Sequence, residues 1–369
     1  MILNIDLIMN YSRALILFIT SPIIYICILI ACQHRNTQVN LKLIHLNSID
    51  LKIPKSLGQF TNTFEALIVN NSIYVVYLDL LNRIIIYDLF TSKLVDSILI
   101  QSEFQGKING FHCIDLNNYL LFTEQNCIYY FSFGKINFLS KIEHTTSDFK
   151  FFIKSYNPAY CLKNKMTYIP LMTFSVDNRY DNYITGVILD STMDISCYYK
   201  HYPMTYTMNN ILPQGLISSS TVIENEIFIS LPLLNNLIKL NNIGHMTFEI
   251  NWIQNVEAKN KFNNNDINDQ WLKTKKYGKL FYFAKFKYLG RVYSEPTEIL
   301  QDNKIIYVPN DWIHFFNFGG KYVDAINLGK GSGYVFENSF SIDSILYLQK
   351  INLETEDLIT YESFLLNVD

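Results

Sequence analysis

The chain is short of glycine, proline, charge and alanine. Only 14 Gly and 9 Pro are spread over 369 residues. That excludes a collagen repeat or a Pro/Gly-rich linker polymer. Charged residues make up 17% and apolar residues 49%, which excludes a disordered polyelectrolyte and leaves material for a large core. Positive charge is not in excess: Lys and Arg number 30 against 33 Asp and Glu, for a net charge of -3. No basic field therefore exists to hold nucleic acid. Alanine, the strongest helix former, occurs only at Ala14, Ala31, Ala66, Ala159, Ala258, Ala284 and Ala325. The chain is instead rich in Ile, Leu and Asn, with 26 Tyr and 26 Phe. Such a composition builds sheets.

Catalytic and metal motifs are also missing. No CxxC pair marks a zinc ribbon or a thioredoxin-like site. His34, His45, His112, His144, His201, His245 and His314 form neither HxH nor HExxH. No GxSxG elbow presents a nucleophilic serine. Gly329-Lys330-Gly331-Ser332-Gly333 lacks the spacing and the following helix of a phosphate loop, and it reads as a connection between sheets. No cofactor is called for.

What is present begins with an address. Residues 14–31, ALILFITSPIIYICILIA, carry no charge, follow Arg13, and give way to polar chain at Gln33. A basic start, an apolar stretch and a small residue at its end describe an export signal. Asp6 is out of place in such a start, and Met9 opens a more ordinary one. Leu29-Ile30-Ala31-Cys32 resembles the bacterial lipobox. That resemblance implies cleavage before Cys32, a diacylglycerol thioether on its sulfur and an acylated new amino terminus. Two readings stay open beside it: an uncut anchor, since the apolar run is long enough to span a bilayer, and a plain secreted protein. On the lipoprotein reading, 1–31 is the signal, 32–39 a lipidated tether and 40–369 the folded domain. Gln33 in place of Asp favours an outer over an inner membrane. Of the other cysteines, Cys27 leaves with the signal. Cys113, Cys127, Cys161 and Cys197 either pair as disulfides or serve as buried thiols.

The mature chain repeats a pattern of short β-rich runs bounded by Asn, Asp, Gly or Ser, the signature of hairpins. Examples are Ser72–Leu78, Arg83–Leu89 and Lys93–Leu99, then Tyr119–Phe122, Cys127–Phe133 and Ile136–Ile142. Counting four strands to a unit, the third strand recurs near 83, 127, 183, 236, 312 and 357. Spacings of this order match β-propeller blades of four strands. The predicted fold is all-β, a six-bladed propeller with an elaborated fifth blade. A seventh blade in residues 251–300 is the alternative count. In the fifth unit, Lys304–Val308 and Trp312–Phe318 read as separate strands with a turn at Asn310-Asp311, and Leu280–Tyr288 reads as one strand. The run Leu41–Leu46 has no local partner and is predicted to complete the last blade.

The lipobox, the aromatic hairpins and the Phe316–Tyr322 turn together resemble bacterial lipoproteins carrying a six-bladed, TolB-like β-propeller domain of unknown function. The resemblance implies export and a ring-shaped scaffold. It implies no reaction. The expected function is a membrane-anchored, non-enzymatic binding or scaffold module for a protein, peptide or glycan partner. The alternative is a channel-centred hydrolase or lyase dependent on a divalent cation, with Glu65, Asp115, Asn157 and Glu224 near the inner strands as the residues to inspect. An aromatic set, Trp252, Trp271, Trp312, Tyr199, Tyr202, Tyr206, Phe281 and Tyr282, offers surfaces for sugar or peptide side chains. The Lys273–Lys279 cluster reads as a solvated loop.

Overall fold

The computed structural model describes residues 39–57, 60–100, 107–143, 149–162, 165–173, 185–199, 218–224, 226–240, 246–248, 273–301, 304–352 and 357–369. The predicted signal segment, Cys32, most of the predicted tether and residues 251–272 lie outside them. The folded unit runs from Leu41 to Val368. It is all-β: six small antiparallel sheets stand in a ring, a six-bladed β-propeller.

The first strand, β1 (Leu41–Lys52), belongs to the last blade. Blade 1 holds β2 (Phe60–Val69), β3 (Ser72–Asp79), β4 (Arg83–Asp88) and β5 (Lys93–Leu99). Blade 2 holds β6 (Ile108–Asp115), β7 (Asn118–Thr123), β8 (Cys127–Ser132) and β9 (Lys135–Lys141). Blade 3 holds β10 (Phe149–Phe151), β11 (Tyr160–Cys161), β12 (Thr167–Thr173), β13 (Gly186–Leu189) and β14 (Ile195–Tyr199). Blade 4 holds β15 (Ser219–Ile223), β16 (Glu226–Ser230), β17 (Leu237–Leu240) and β18 (Met246–Phe248). Blade 5 holds β19 (Lys276–Phe283), β20 (Tyr288–Gln301), β21 (Lys304–Asn317) and β22 (Tyr322–Lys330). Blade 6 holds β23 (Tyr334–Ile342), β24 (Ile345–Lys350) and β25 (Leu358–Val368).

β1 pairs with β25 from Leu41↔Val368 to Lys52↔Leu358, so the sheet order is β1-β25-β24-β23. This is the closure predicted for Leu41–Leu46, extended over twice that length. It covers one edge of β25 with chain from the other end of the domain. Tyr77 and Tyr361 add a hydroxyl–hydroxyl bond of 2.6 Å between blades 1 and 6. One apolar cluster joins the same two blades through Val75, Tyr77, Ile85, Phe340, Tyr347 and Tyr361.

Middle strands are buried on both faces because each blade is sandwiched between two others. β3 and β4 are therefore almost continuous apolar runs, whereas the outer β5 is largely exposed. The wedges between blades are filled by the abundant Ile, Phe and Tyr, as where Val76, Leu78, Ile84 and Ile86 meet Phe111, Tyr119 and Phe131. Blades 2 and 3 approach closely at Gly110, where a Cβ would stand 2.6 Å from Ile153 Cβ. The Gly329–Gly333 segment links blades 5 and 6, as its composition predicts. Its three glycines take φ of 99°, 56° and 73°, left-handed values that favour residues without a Cβ.

Blade 5 departs from the sequence reading. Residues 273–300 supply no seventh blade; they form β19 and β20 of blade 5. Leu280–Tyr288 is not one strand but a hairpin turning at residues 284–287, with Lys287 at φ 54°. Lys304–Val308 and Trp312–Phe318 are one strand, β21, paired with β20 along its whole length. The turn signal of Asn310-Asp311 is overridden because Asp311 is buried and accepts hydrogen bonds from Ser294 Oγ at 2.6 Å and Ser332 Oγ at 2.7 Å.

Candidate functional site

The innermost chain of every blade faces the ring axis. Strands β2, β6, β15, β19 and β23 do so as single segments. In blade 3 the inner strand is split: β10 pairs with one end of β12 and β11 with the other. The chain between them carries Ser155, Asn157 and Ala159 to the axis. The result is a cavity of about 540 Å³ lined by all six blades, among them Phe64, Ala66, Ile68, Phe281, Phe340 and Ile342 on its apolar side.

Its polar side includes Glu65 on β2 and His112 on β6, whereas Cys161, beside the lining Tyr160 on β11, stands outside its wall. The His112 ring donates from Nδ1 to Glu65 Oε1 at 3.1 Å. Glu65 Oε2 accepts the Cys113 backbone N–H at 2.8 Å, so the carboxylate is held at both oxygens. The Cys161 thiol lies 3.9 Å from Thr167 Oγ1 and interacts electrostatically with the imidazole. Burial acts to lower the His112 pKa, but the Glu65 charge and the bonds to Cys161 and Glu65 outweigh it and raise it to about 10. Burial acts to raise the Cys161 thiol, and the hydrogen bond and charge of His112 reverse this, leaving it below its ordinary value. Imidazolium and thiolate thus favour one another.

Lys279 also lines the cavity, projecting from β19. Its Nζ donates to Ser155 O at 2.8 Å and to Glu337 O at 2.7 Å, and it sits 5.3 Å from the centre of the Phe64 ring. It borders both this cavity and a second one of about 440 Å³ near Tyr156, Tyr277 and Phe336, and so separates them. Desolvation, opposed in part by the Glu337 charge, lowers its pKa to about 7. The reading of Lys273–Lys279 as a solvated loop therefore fails for Lys279. The inward alternation of β19 carries it into the ring.

The other residues singled out from the sequence fall elsewhere. Asp115 caps a turn, accepting from the Asn117 N–H and Asn118 Nδ2. Asn157 is buried and ties blades 3 and 4 together: its Oδ1 accepts from Ser220 Oγ at 2.6 Å and its Nδ2 donates to Ser218 Oγ. Glu224 sits in a turn at φ 49°, near Lys287. Only Glu65 joins the cavity cluster. Among the described residues no three His, Cys, Asp or Glu side chains form a group that could hold a metal ion, so the convergence that a cation-dependent site requires is not found there. Cys113, Cys127, Cys161 and Cys197 are free thiols. Of the aromatic set, Trp252, Trp271, Tyr202 and Tyr206 lie outside the described residues. Tyr199 and Phe281 are buried in the blades and Trp312 packs against Tyr277 and Tyr293. Only Tyr282 remains partly open to the cavity. The His112–Cys161 cluster escapes a sequence reading because its members lie about fifty residues apart. The one available signal is that Glu65, His112 and Cys161 all occur on inner-strand segments.

A second feature lies on blade 5. β19 pairs with β20 only as far as Ser294, and β22 pairs with β21 only from Asn310 onward. Residues 295–301 and 304–309 therefore leave the blade as a two-stranded ribbon, with Pro296 opposite Pro309 at its root. Ile299, Leu300, Ile305 and Ile306 are exposed on it, Leu300 at 73%.

No family model matches the chain, and no curated protein matches it. Among solved structures the chain is similar to a member of the DUF4221 family from Bacteroides vulgatus, with a TM-score of 0.74 at 12% identity, covering 90% of this chain and 100% of that one. BamB from Moraxella catarrhalis follows at a TM-score of 0.42 and 10% identity, covering 88% of this chain and 100% of that chain. The first likeness is one of fold, and it agrees with the six blades described above.

Proposed function

We propose that this chain is an exported lipoprotein, held on the bacterial cell envelope through acylated Cys32, whose TolB-like propeller binds a protein partner by the projecting ribbon of blade 5. The ribbon carries this reading. A two-stranded ribbon outside its sheet leaves backbone donors and acceptors free on both edges, and four aliphatic side chains on it face solvent. Those are the ingredients of strand addition, in which main-chain bonds give affinity and alternating side chains give specificity. An extended peptide segment of a partner fits this surface better than a glycan, because three of the four described aromatic candidates are packed inside the blades. Two or more acyl chains on Cys32 hold such a module stably on lipid, and Gln33 favours the outer membrane.

The partner reading is tested with a photo-crosslinking residue at Ile305 in cells. A discrete adduct of a second protein is expected there and not with the same residue at Val95 on the outer strand of blade 1. Equal labelling at both positions, or none, removes the ribbon as the docking element. The anchor is tested separately by labelled palmitate, whose incorporation is expected to vanish in Cys32→Ala.

A further inference from the structure

We propose that the axial cavity holds a small carboxylate with an apolar body, and that the anionic end of this ligand is received by the Lys279 ammonium. This site is independent of the ribbon and of the anchor. An ammonium carries three N–H donors and no acceptor. Two of those on Lys279 go to the backbone carbonyls of Ser155 at 2.8 Å and Glu337 at 2.7 Å. The side chain is buried, and among the described residues no carboxylate pairs with it. Buried cations are ordinarily paired with an anion. Here the protein supplies two neutral oxygens and leaves the counter-charge to a ligand.

The acids around the cavity are committed elsewhere. Glu65 gives Oε1 to His112 and Oε2 to the Cys113 N–H. Asp343 is exposed on the turn between β23 and β24. Glu337 offers Lys279 its backbone oxygen while its side chain is exposed. Three other polar groups of the wall are satisfied within the protein: Tyr160 donates to Ser220 O, Ser220 Oγ to Asn157 Oδ1, and Ser341 Oγ to Tyr282 O. Phe64, whose ring centre lies 5.3 Å from Lys279 Nζ, lines the cavity with Ala66, Phe281 and Phe340. These side chains suit an aliphatic or aromatic body. A volume of about 540 Å³ is of the size that holds a small ligand. A single ammonium balances one negative charge, which favours a monoanion over a phosphate dianion.

Binding is coupled to a proton. Desolvation, opposed in part by the Glu337 charge, lowers the Lys279 pKa to about 7, so above that pH the anion brings a proton with it. Against its own desolvation, His112 is held protonated up to about 10 by the Glu65 charge. Burial raises Cys113, Tyr160 and Tyr282 on this cavity, and Tyr156 and Tyr277 on the second one, so none of these groups titrates in the same window. Lys276, on the second cavity, is also lowered by burial, and the experiment separates it.

The full chain is titrated with benzoate, and with benzamide as its uncharged counterpart, by calorimetry in two buffers of different ionisation enthalpy. Benzoate is expected to bind about tenfold tighter than benzamide near about pH 6.5. It is expected to take up close to one proton near about pH 8, and to weaken about tenfold per pH unit above 7. Lys279→Met should erase the preference for the anion. Because that variant removes two buried hydrogen bonds, Ala66→Phe, which narrows the axial cavity and leaves Lys279 in place, is measured beside it and should also lose benzoate. Lys276→Gln should change neither affinity nor proton uptake. No binding of benzoate, equal affinity for benzamide, binding without proton uptake, or retention in Lys279→Met or Ala66→Phe overturns the proposal. So does loss in Lys276→Gln, which would put the anion in the second cavity.

Discussion

His112 and Lys279 both lie against the axial cavity, and their surroundings treat positive charge in opposite ways. His112 faces the Glu65 carboxylate, which overcomes desolvation and raises its pKa to about 10 from 6.5. Lys279 is met by two neutral carbonyls, desolvation prevails, and its pKa falls to about 7 from 10.5. Burial alone thus does not decide whether a cation is kept. The formal charge of the partner does. The contrast also separates two tasks. Lys279 links blade 5 to blades 3 and 6 across the ring, a structural tie. His112 ties blade 2 to blade 1 through the Glu65 carboxylate and stays open to the cavity.

The largest effect should come from Lys279→Ala. It removes the donor from two buried carbonyls and opens space between the cavities, at a cost of about 3 kcal/mol read from denaturant midpoints. Lys279→Met keeps the volume and should cost about 1 kcal/mol. The pH dependence sharpens the point. The folded state penalises the charge of Lys279, fully below about pH 7, and the penalty fades as the unfolded chain also loses its proton near 10.5. Stability from this group therefore rises with pH in that window, by up to about 1.4 kcal/mol per pH unit. Both variants should lose that rise.

Next in size is Glu65→Gln, expected to cost about 2 kcal/mol near pH 6. His112 contributes with the opposite sign: its stabilisation is full below about pH 6.5 and is lost as pH climbs through about 10. With glutamine at position 65 that decline should vanish, leaving the rise from Lys279 exposed. Equal pH slopes in the unaltered chain and Glu65→Gln would break the comparison.

Gly110→Ala tests whether the cluster depends on blade contact. The added Cβ meets Ile153 at 2.6 Å, so blades 2 and 3 must part, at about 2 kcal/mol or somewhat less. Because His112 stands two residues further along β6, the stability decline that its Glu65 pairing produces above about pH 6.5 should shrink as well. The smallest effect is expected from Leu300→Ser with Ile305→Ser. Both side chains are exposed on the ribbon, so thermal stability should stay within about 0.5 kcal/mol while partner crosslinking at the ribbon is lost.

Much of the architecture was legible in the residues. Asn, Asp and Gly at the ends of short aromatic and β-branched runs marked β3 to β5 and β7 to β9 closely, because hairpin turns are local events. The unpaired run Leu41–Leu46 pointed to blade closure, because the last blade lacked a strand. Blade 5 was less legible. Asn310-Asp311 carries a turn signal that long-range pairing with β20 overrides, and the turn at 284–287 contains none of the usual punctuating residues, its positive φ falling on Lys287. The cavity cluster was the least legible part. Glu65 was marked as an inner-strand acid, His112 as one scattered histidine and Cys161 as one thiol of four.

By itself the sequence determined an all-β chain of repeated four-stranded units and the expectation of an export signal ending at Cys32, since composition, hydrophobic runs and turn residues act within a few neighbours. Only the tertiary structure decided which strand closes the ring, that a lysine from an apparently polar stretch is buried against the axial cavity, and that an acid and an imidazole meet there. The reason is geometric. A ring brings the inner strands of successive blades to one axis, so groups about fifty residues apart become neighbours, and local sequence carries no record of that distance being closed.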